Sequence, residues 1–428
     1  MTGARGVADG HVKSSPISSV RDGPHLAPLA PVPQNPPMSA VPVVDSVTGL
    51  ARRERVKGFE LAGGLSVLFM IGVHVLWHWG APDTWTTPVG LVISNLGGPT
   101  ATPVFVFLMG ASLARPGNTG FNRLATRGLW LFVLGYVLDI LRGFLPAVLG
   151  LASGVITPEQ IAPFTPWWLL TTVDLHHMTG LTLIAVAALR RRGPPDVSWL
   201  ALAGVLVLVA PWLREFSAGT PLIDAPLTPI LGSAPNVYYA VVPWLAYPLA
   251  GAYFGTMLQR STDQAAVFRR AGGIGVVLLA IGSVLILRYN PGFDVGTYWR
   301  QPPPIFIAVL GVVLTWLAIC DRVARIPAID VRLGIVYGWR ARVIPMYFTH
   351  WILIGWGAAI VGFRHLELVQ VLIAIAAAAV LTSRLSAFAV RIEAGPGLIR
   401  RMLEHEPGSH DIERPVRLEP EPVPVDRG

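Results

Sequence analysis

Two histidines lie where an ionisable side chain could do chemistry. His74 and His78 are four residues apart in an apolar stretch, so on a helix both side chains project from one face. An imidazole titrates near neutral pH and can take a proton from an attacking hydroxyl or amine. The alternative is a histidine at a membrane interface, bonded to water beside Trp77 and Trp79. We expect this interfacial role for His78 and a chemical role for His74, which lies one turn deeper.

A second set of candidate functional residues lies at the start of another apolar stretch. Asp174, His176 and His177 begin it, and on a helix Asp174 and His177 are neighbours. The carboxylate could orient the imidazole and stabilise its protonated form, as an orienting group does for a catalytic base. Asp174 could instead cap the start of the helix, with the histidines merely near the membrane interface. The sequence leaves both interpretations open.

These side chains could also supply ligands to a metal ion, since the spacing of His74 and His78 is compatible with one. No glutamate follows His74, however, as one does in hydrolytic zinc motifs. We therefore predict catalytic roles for His74, Asp174 and His177, and we predict no metal site.

The elements that must position these residues are membrane-spanning helices. A span needs about 20 apolar residues, or fewer where neighbouring helices shield it. We place ten spans at 58–79, 95–114, 124–145, 175–189, 198–213, 237–258, 272–288, 303–320, 343–361 and 366–390. Longer connections, rich in Pro, Trp, Gly and Thr, are expected at 80–94, 146–174 and 214–236. The predicted fold is all-α, a polytopic membrane helix bundle of about ten transmembrane helices.

Positive charge alternates from loop to loop, which predicts the orientation. One set of loops carries Arg52, Arg53, Arg55, Lys57, Arg115, Arg123, Arg127, Arg190, Arg191, Arg192, Arg260, Arg269, Arg270, Arg322, Arg325, Arg332, Arg340 and Arg342. The opposite loops carry Arg214, Arg288, Arg300 and Arg364, and Arg142 falls inside the third span. Because cytoplasmic loops are enriched in Lys and Arg, we expect a multi-pass plasma-membrane protein with both termini in the cytoplasm.

Composition excludes several other classes of protein. Fifty-three per cent of the residues are hydrophobic and 14 per cent are charged, whereas soluble domains are typically about 25 per cent charged. The net charge of +8 sits in short clusters between apolar runs, which favours contact with the lipid bilayer and no nucleic-acid partner. The single cysteine, Cys320, excludes an intramolecular disulfide framework. The oligomeric state stays open, with a homo-oligomer as one option.

The chain divides into three segments. Residues 1–50 are rich in proline without a sustained apolar period, which predicts a disordered cytoplasmic arm. Residues 51–392 form the predicted transmembrane domain. Residues 393–428 alternate Glu, Arg and Pro and are expected to be a disordered cytoplasmic tail.

Arginines at the cytoplasmic ends of two spans could bind a phosphorylated ligand. Arg123 and Arg127 lie at the start of the third span, and Arg340 and Arg342 precede the ninth. A guanidinium binds phosphate in a bidentate manner, so we predict that Arg123, Arg127 and Arg342 bind a nucleotide-like cofactor. The alternative is that each one anchors a helix end against lipid headgroups.

Several segments in order resemble the transmembrane acyltransferase superfamily, which includes heparan-alpha-glucosaminide N-acetyltransferase-like proteins and acyltransferase-3 proteins. The first is GFELAGGLSVLFMIGVH at 58–74, similar to their opening helix. The others are GPTATPVFVFLMG at 98–110, RGLWLFVLGY at 127–136, DLHHMTG at 174–180, PWLAYPLAG at 243–251 and YFTH at 347–350. The resemblance extends over about 52–390 in register.

The resemblance implies a bundle that accepts acyl-CoA, with acetyl-CoA expected, from the cytoplasm. The acyl group then passes to an amine or hydroxyl of an extracytoplasmic sugar or glycolipid. His74 matches the first-helix histidine that is regarded as catalytic in the acyltransferase-3 branch. O- versus N-transfer, the length of the acyl chain and the acceptor stay open.

Two positions depart from the pattern of these families. Relatives usually have an arginine three residues after the acid in the first helix, but here Gly63 follows Glu60. This change could weaken CoA binding, leave Glu60 to pair with another arginine such as Arg127, or mark a non-catalytic relative. The N-acetyltransferase branch tends to have an acid where this chain has Thr100, so we do not predict heparan chemistry. A rival interpretation is a transporter or flippase, since broken helices with Pro and Gly are typical of transporters.

Overall fold

The computed structural model describes residues 56–114, 120–193, 196–289 and 295–393. Nine helices within these ranges are long and apolar enough to cross a membrane. The predicted all-α, polytopic fold is therefore confirmed. The predictions for the arm 1–50 and for the tail beyond Glu393 lie outside the described residues.

The membrane helices are numbered here α1 to α10 in chain order, and three of them consist of consecutive pieces. The first five are α1 (Lys57–Trp79), α2 (Pro88–Gly97 and Thr102–Leu113), α3 (Phe121–Asp139, Ile140–Phe144 and Leu145–Ala152), α4 (Leu175–Arg190) and α5 (Asp196–Arg214). The second five are α6 (Val241–Trp244 and Ala246–Arg260), α7 (Gln264–Tyr289), α8 (Pro303–Ala324), α9 (Val343–Val361) and α10 (Leu368–Glu393).

The fourth predicted span is the shortest of these helices. Helix α4 has 16 residues, fewer than the roughly 20 that cross a bilayer unaided. It packs along α3 inside the bundle, and most of its first turns are buried. Neighbouring protein therefore takes the place of lipid around α4, which allows a shorter helix.

The second span begins earlier than predicted and is broken in the middle. Its first piece starts at Pro88, capped by the Thr87 hydroxyl, which accepts from the Gly90 N–H. The connection expected at 80–94 is correspondingly short. Because Pro103 lacks an N–H, the chain turns between the two pieces, and the Thr100 carbonyl accepts from the Ser66 hydroxyl at 2.5 Å. A neighbouring helix thus satisfies backbone groups that the break exposes.

The third span continues beyond its predicted end at 145 as far as Ala152. A π-helical turn, Ile140–Phe144, lies inside it and carries Arg142. Here the N–H of Leu145 donates to the carbonyl of Ile140, five residues back, and the freed carbonyl of Leu141 accepts from the Trp356 indole at 3.0 Å. Such turns inside α-helices often mark functional sites.

The other two long connections are also partly helical. Short helices form at Pro158–Ile161, Pro166–Leu170 and Pro221–Leu231, each with proline in its first turn. Proline at the first helical position costs no hydrogen bond, which explains why these proline-rich segments still begin helices.

Most of the positively charged side chains at the helix ends lie on one side of the bundle, which we call the basic end. It is defined by Lys57, Arg127, Arg190, Arg260 and Arg340. Ion pairs there include Lys57 with Asp330 at 2.6 Å and Arg260 with Asp196 at 2.5 Å. We call the opposite side, where α1 ends at Trp79, the far end.

Helices α2 and α6 approach each other at backbone distance. A Cβ atom added at Gly110 would lie 1.9 Å from the carbonyl oxygen of Pro248. Small residues of this kind let membrane helices pack closely. Gly273 on α7, by contrast, has nothing within 4 Å of the added atom.

We predict that Gly110→Ala destabilises the protein, because α2 and α6 must separate to admit the methyl group. Overpacking of this kind costs about 1–3 kcal/mol. Gly273→Ala is the matched control and should leave stability unchanged or raise it, since alanine favours helix by about 1 kcal/mol. Thermal unfolding of the protein in detergent, followed by tryptophan fluorescence, measures both. Equal unfolding temperatures for the two variants would contradict the close packing of α2 against α6.

Candidate functional site

His74 pairs with a second histidine from α9. Its Nδ1 lies 3.1 Å from Nε2 of His350, and the two rings are nearly parallel. The other ring nitrogen of His350, Nδ1, lies 3.1 Å from the carbonyl oxygen of Met346, which can only accept. In the neutral pair, His350 therefore donates from Nδ1 and accepts at Nε2, so His74 donates from Nδ1. This tautomer leaves Nε2 of His74 as the nitrogen that can accept a proton.

Aromatic rings hold His74 and His78 in place. The ring of Trp351 lies 4.1 Å from that of His74, between centroids, and 5.3 Å from that of His78. His78 donates from Nδ1 to the carbonyl oxygen of His74 at 2.9 Å, and its ring also contacts Phe363. The His78 ring is therefore oriented by a backbone carbonyl of its own helix and by two aromatic rings at the far end.

A buried cluster of charged side chains lies beside the histidine pair. The Arg142 guanidinium contacts Asp139 at 2.9 Å and Asp174 at 2.8 Å, and it stacks 4.3 Å from the ring centre of Trp351. Its side chain is 10% exposed, and both carboxylates are buried. A charge buried at this depth is costly unless it has a partner of opposite sign. Arg142 is the shared partner of both carboxylates.

Asp174 also starts helix α4. Its Oδ1 accepts from the N–H of Leu175 at 2.7 Å, and its own N–H donates to Nδ1 of His177 at 3.1 Å. The remaining oxygen, Oδ2, accepts from the Tyr347 hydroxyl at 2.9 Å. The carboxylate therefore caps the helix and belongs to the charged cluster at once.

His177 lies on the α3 side of the cluster. With Nδ1 accepting from the backbone, its Nε2 carries the proton and faces Asp139 Oδ2 at 4.0 Å. The rings of Tyr136 and Phe132 pack against its imidazole. His177 is fully buried, and these contacts orient it toward α3.

Tyr347 connects the charged cluster with the histidine pair. Its hydroxyl binds Asp174, and its ring lies 5.2 Å from that of His350 and 4.7 Å from that of His176. Asp174 and His74 thus belong to one polar cluster, joined through two residues of α9. The predicted residues His74, Asp174 and His177 thus lie in one cluster, together with partners that were not predicted as site residues.

Those unassigned partners are Asp139, Arg142, Tyr347 and His350. A signal for three of them exists in the sequence, because ionisable residues inside apolar spans are functional candidates by default. Asp139 and Arg142 lie three residues apart within the third span, and His350 lies within the ninth. Tyr347 lacks this signal but belongs, with His350, to the segment YFTH at 347–350 that resembles the superfamily.

A cavity of about 190 Å³ opens between four helices on the basic side of the cluster. Arg127 and Arg340 lie at its basic end, and His176 and Tyr347 lie at its inner end. Apolar side chains of α2, α3, α4 and α9 form most of the wall, together with Ser112 and Thr179. We call this space the inner cavity. It connects the guanidinium groups of the basic end with the buried polar cluster.

A second cavity, of about 260 Å³, lies next to the first at the basic end. Leu113 borders both spaces. Arg190, Arg260 and Asp196 are among the residues that line the second cavity. Basic side chains line both cavities.

The arginines predicted to bind a cofactor fall in different places. Arg127 lines the inner cavity, whereas Arg123 is exposed at the basic end. Arg342 donates to the carbonyl oxygens of Gly338 and Ser383, at 3.1 and 3.2 Å. Its neighbour Arg340 lines the cavity instead.

Arg340 reaches the cavity through a notch in α1. A Cβ atom at Gly63 would lie 2.1 Å from Cδ of Arg340, so the glycine leaves room for this side chain in its observed conformation. The space beside Gly63 is thus filled by an arginine from the short helix Gly334–Ala341. Within the described ranges, no group of three or more His, Cys, Asp and Glu side chains is arranged to hold a metal ion.

Comparison with protein families agrees with this architecture. The family model of the catalytic domain of heparan-alpha-glucosaminide N-acetyltransferase matches residues 55–291, more than half of the chain. The chain belongs to this family. It is therefore a multi-pass member of a membrane acetyltransferase family. No curated protein matches the chain.

The matched segment contains most of the polar cluster. His74, Arg142, Asp174 and His176 lie within it, and His350 on α9 lies beyond its end at 291. The resemblance noted from the sequence is confirmed at the level of the family.

We predict that Arg142→Met strongly destabilises the protein. It leaves two buried carboxylates without their cation, and breaking a buried ion pair costs about 3–5 kcal/mol. The matched control is Arg269→Met, which removes an exposed pair with Asp263 at 3.4 Å and should cost less than about 1 kcal/mol. Thermal unfolding in detergent measures the difference. Similar unfolding temperatures for the two variants would show that the buried cluster is not a stabilising element.

Proposed function

We propose that the protein is an integral membrane acyltransferase that moves an acyl group, acetyl as the expected case, from acyl-CoA to a sugar or glycolipid amine or hydroxyl. The observation that carries this proposal is the inner cavity, which leads from two arginines to the polar cluster beside His74. Membership of an N-acetyltransferase family supports it.

The donor enters from the basic end. Arg127 and Arg340 bind phosphate oxygens of CoA, because a guanidinium matches phosphate geometry with two hydrogen bonds. The pantetheine arm lies along the apolar wall of the inner cavity, and the neighbouring cavity with Arg190 and Arg260 receives the nucleotide. The thioester then lies at the inner end, beside His176 and Tyr347.

The acceptor approaches from the far end, where His74 acts as the base. Tyr347 and His350 are three residues apart on α9, which corresponds to about 4.5 Å along the helix axis. A thioester beside Tyr347 therefore lies within one turn of the level of His74. Asp174 and His177 position the base indirectly, Asp174 through Tyr347 and His350, and His177 through the start of α4.

In the reaction the acceptor oxygen or nitrogen attacks the thioester carbonyl carbon and loses its proton to Nε2 of His74. The carbon–sulfur bond breaks, and the electron pair stays on sulfur. The proton held by His74 then neutralises the thiolate, so that the products are the acylated acceptor and CoA thiol. A general base of this kind contributes about 10²–10⁴-fold to the rate.

We place the protein in the plasma membrane, and the distribution of charge supports an orientation with both chain ends in the cytoplasm. The basic end then faces the cytoplasm, where acyl-CoA is available, and the far end faces the extracytoplasmic side. Donor and acceptor thus approach one polar cluster from opposite sides of the bilayer.

We predict that His74→Ala lowers acyl transfer at least 100-fold, because the acceptor loses its base. The assay uses proteoliposomes, radiolabelled acetyl-CoA, and glucosamine or a glucosamine-bearing glycolipid as acceptor. His365→Ala, on the exposed turn between α9 and α10, is the control and should retain activity. Wild-type turnover by His74→Ala would refute the role of His74. Movement of the acceptor across the bilayer without any need for CoA would favour a transporter instead.

We predict that Arg127→Met and Arg340→Met each raise the KM for acetyl-CoA about 10-fold or more, since a hydrogen bond to a charged group contributes about 1.5–3 kcal/mol. The kcat should change little, because these groups lie away from the thioester. The control is Arg269→Met, whose guanidinium is exposed beside Asp263. Unchanged KM values in both cavity variants would exclude this cavity as the donor site.

A further inference from the structure

His176 lies at the inner end of the cavity and takes no part in the proton transfers of the proposed reaction. It is the second residue of α4, directly after the segment that caps the helix. Its ring packs against Tyr347 at 4.7 Å and near Phe348 at 6.3 Å, and it lines the inner cavity. The residue is only 6% exposed.

The hydrogen bonding of His176 differs from that of its neighbours. His74, His78, His177 and His350 each use Nδ1 in a hydrogen bond. Nδ1 of His176 is buried and has no hydrogen-bond partner within the described part of the chain. A buried polar group left unbonded costs about 1–3 kcal/mol, so native structures rarely retain one without a reason.

A ligand bound in the inner cavity would lie next to this imidazole, because His176 lines the cavity. The cavity is mostly apolar at this level, and His176 and Tyr347 are the polar side chains at its inner end. The Tyr347 hydroxyl already donates to Asp174. Of these two side chains, His176 is therefore the one with a ring nitrogen still available for a hydrogen bond to a ligand.

We propose that His176 is a catalytic residue whose imidazole N–H donates a hydrogen bond to the carbonyl oxygen of the acyl donor. This inference rests on the proposed function. When the acceptor attacks, the carbonyl carbon becomes tetrahedral and negative charge develops on this oxygen. The charge returns to form the new carbonyl as the carbon–sulfur bond breaks. His176 keeps its proton throughout, and the acceptor proton goes to His74.

A donor aimed at the developing oxyanion acts most strongly where water is excluded. Removing one such donor typically costs about 10²–10³-fold in kcat. The apolar wall around His176 provides that environment, with Leu175 and Leu183 on its own helix. Loss of this hydrogen bond should lower kcat more than it weakens the binding of acyl-CoA, because the hydrogen bond strengthens as the transition state forms.

The kinetic test compares His176→Leu with His176→Asn in proteoliposomes that transfer acetyl from acetyl-CoA. We expect His176→Leu to lose about 100-fold or more in kcat with less than about a 10-fold change in KM for acetyl-CoA. The asparagine amide can place a donor near the position of Nδ1, so His176→Asn should keep at least about 10-fold more activity than His176→Leu. His365→Leu is the matched control for the substitution itself.

The second readout does not depend on turnover. Acetonyl-CoA keeps the carbonyl but places a CH2 group between that carbonyl and sulfur, so it binds without transferring an acyl group. With a ¹³C-labelled carbonyl, its infrared stretch should lie at lower frequency when bound to wild-type protein than when bound to His176→Leu. A merely structural histidine would not move this frequency.

The outcomes separate the two proposals. If acetonyl-CoA binds and its carbonyl frequency is the same in both proteins, the role of His176 is overturned while the proposed function stands. That role is also overturned if His176→Leu keeps kcat within about 3-fold of wild type, or if His176→Asn gives no rescue. If wild-type protein neither binds acetonyl-CoA nor transfers acetyl, the proposed function itself fails.

Discussion

The Arg142 guanidinium, buried between two carboxylates and an indole ring, holds three helices in one arrangement. Asp139 belongs to its own helix, Asp174 begins α4, and Trp351 lies on α9. Desolvating this cation is tolerable only while all these partners stay in place. The cluster therefore determines where α4 starts and how α9 presents its polar side chains to the first helix. The geometry of the histidine pair depends on that arrangement.

The architecture could be predicted from the sequence because the bilayer restricts the choices. Apolar length and alternating charge are enough to place the spans, since a chain in lipid must satisfy its backbone within helices. The boundaries at Pro88 and Ala152 were harder to predict. Prolines that normally signal a loop begin helices here, and a π-helical turn carries α3 past its expected end.

The candidate site was predicted only in part. His74 and Asp174 stand out as ionisable residues near membrane depth, and both belong to the polar cluster. His176 and His177, however, differ by one position on a helix, and their side chains point about 100° apart. Only the capping contact of Asp174 decides which one faces α3 and which one faces the cavity. His350 lies 276 residues from His74, so no local pattern could pair them.

The notch at Gly63 also determines how a positive side chain reaches the inner cavity. A side chain on the first helix and the stem of Arg340 compete for the same volume, so only one of them can be large. A positive group can therefore reach the cavity by either route, from α1 or from the segment before α9. Gly63 therefore makes room for an arginine supplied by the segment before α9, so a positive group lines the cavity although the first helix has glycine at this position.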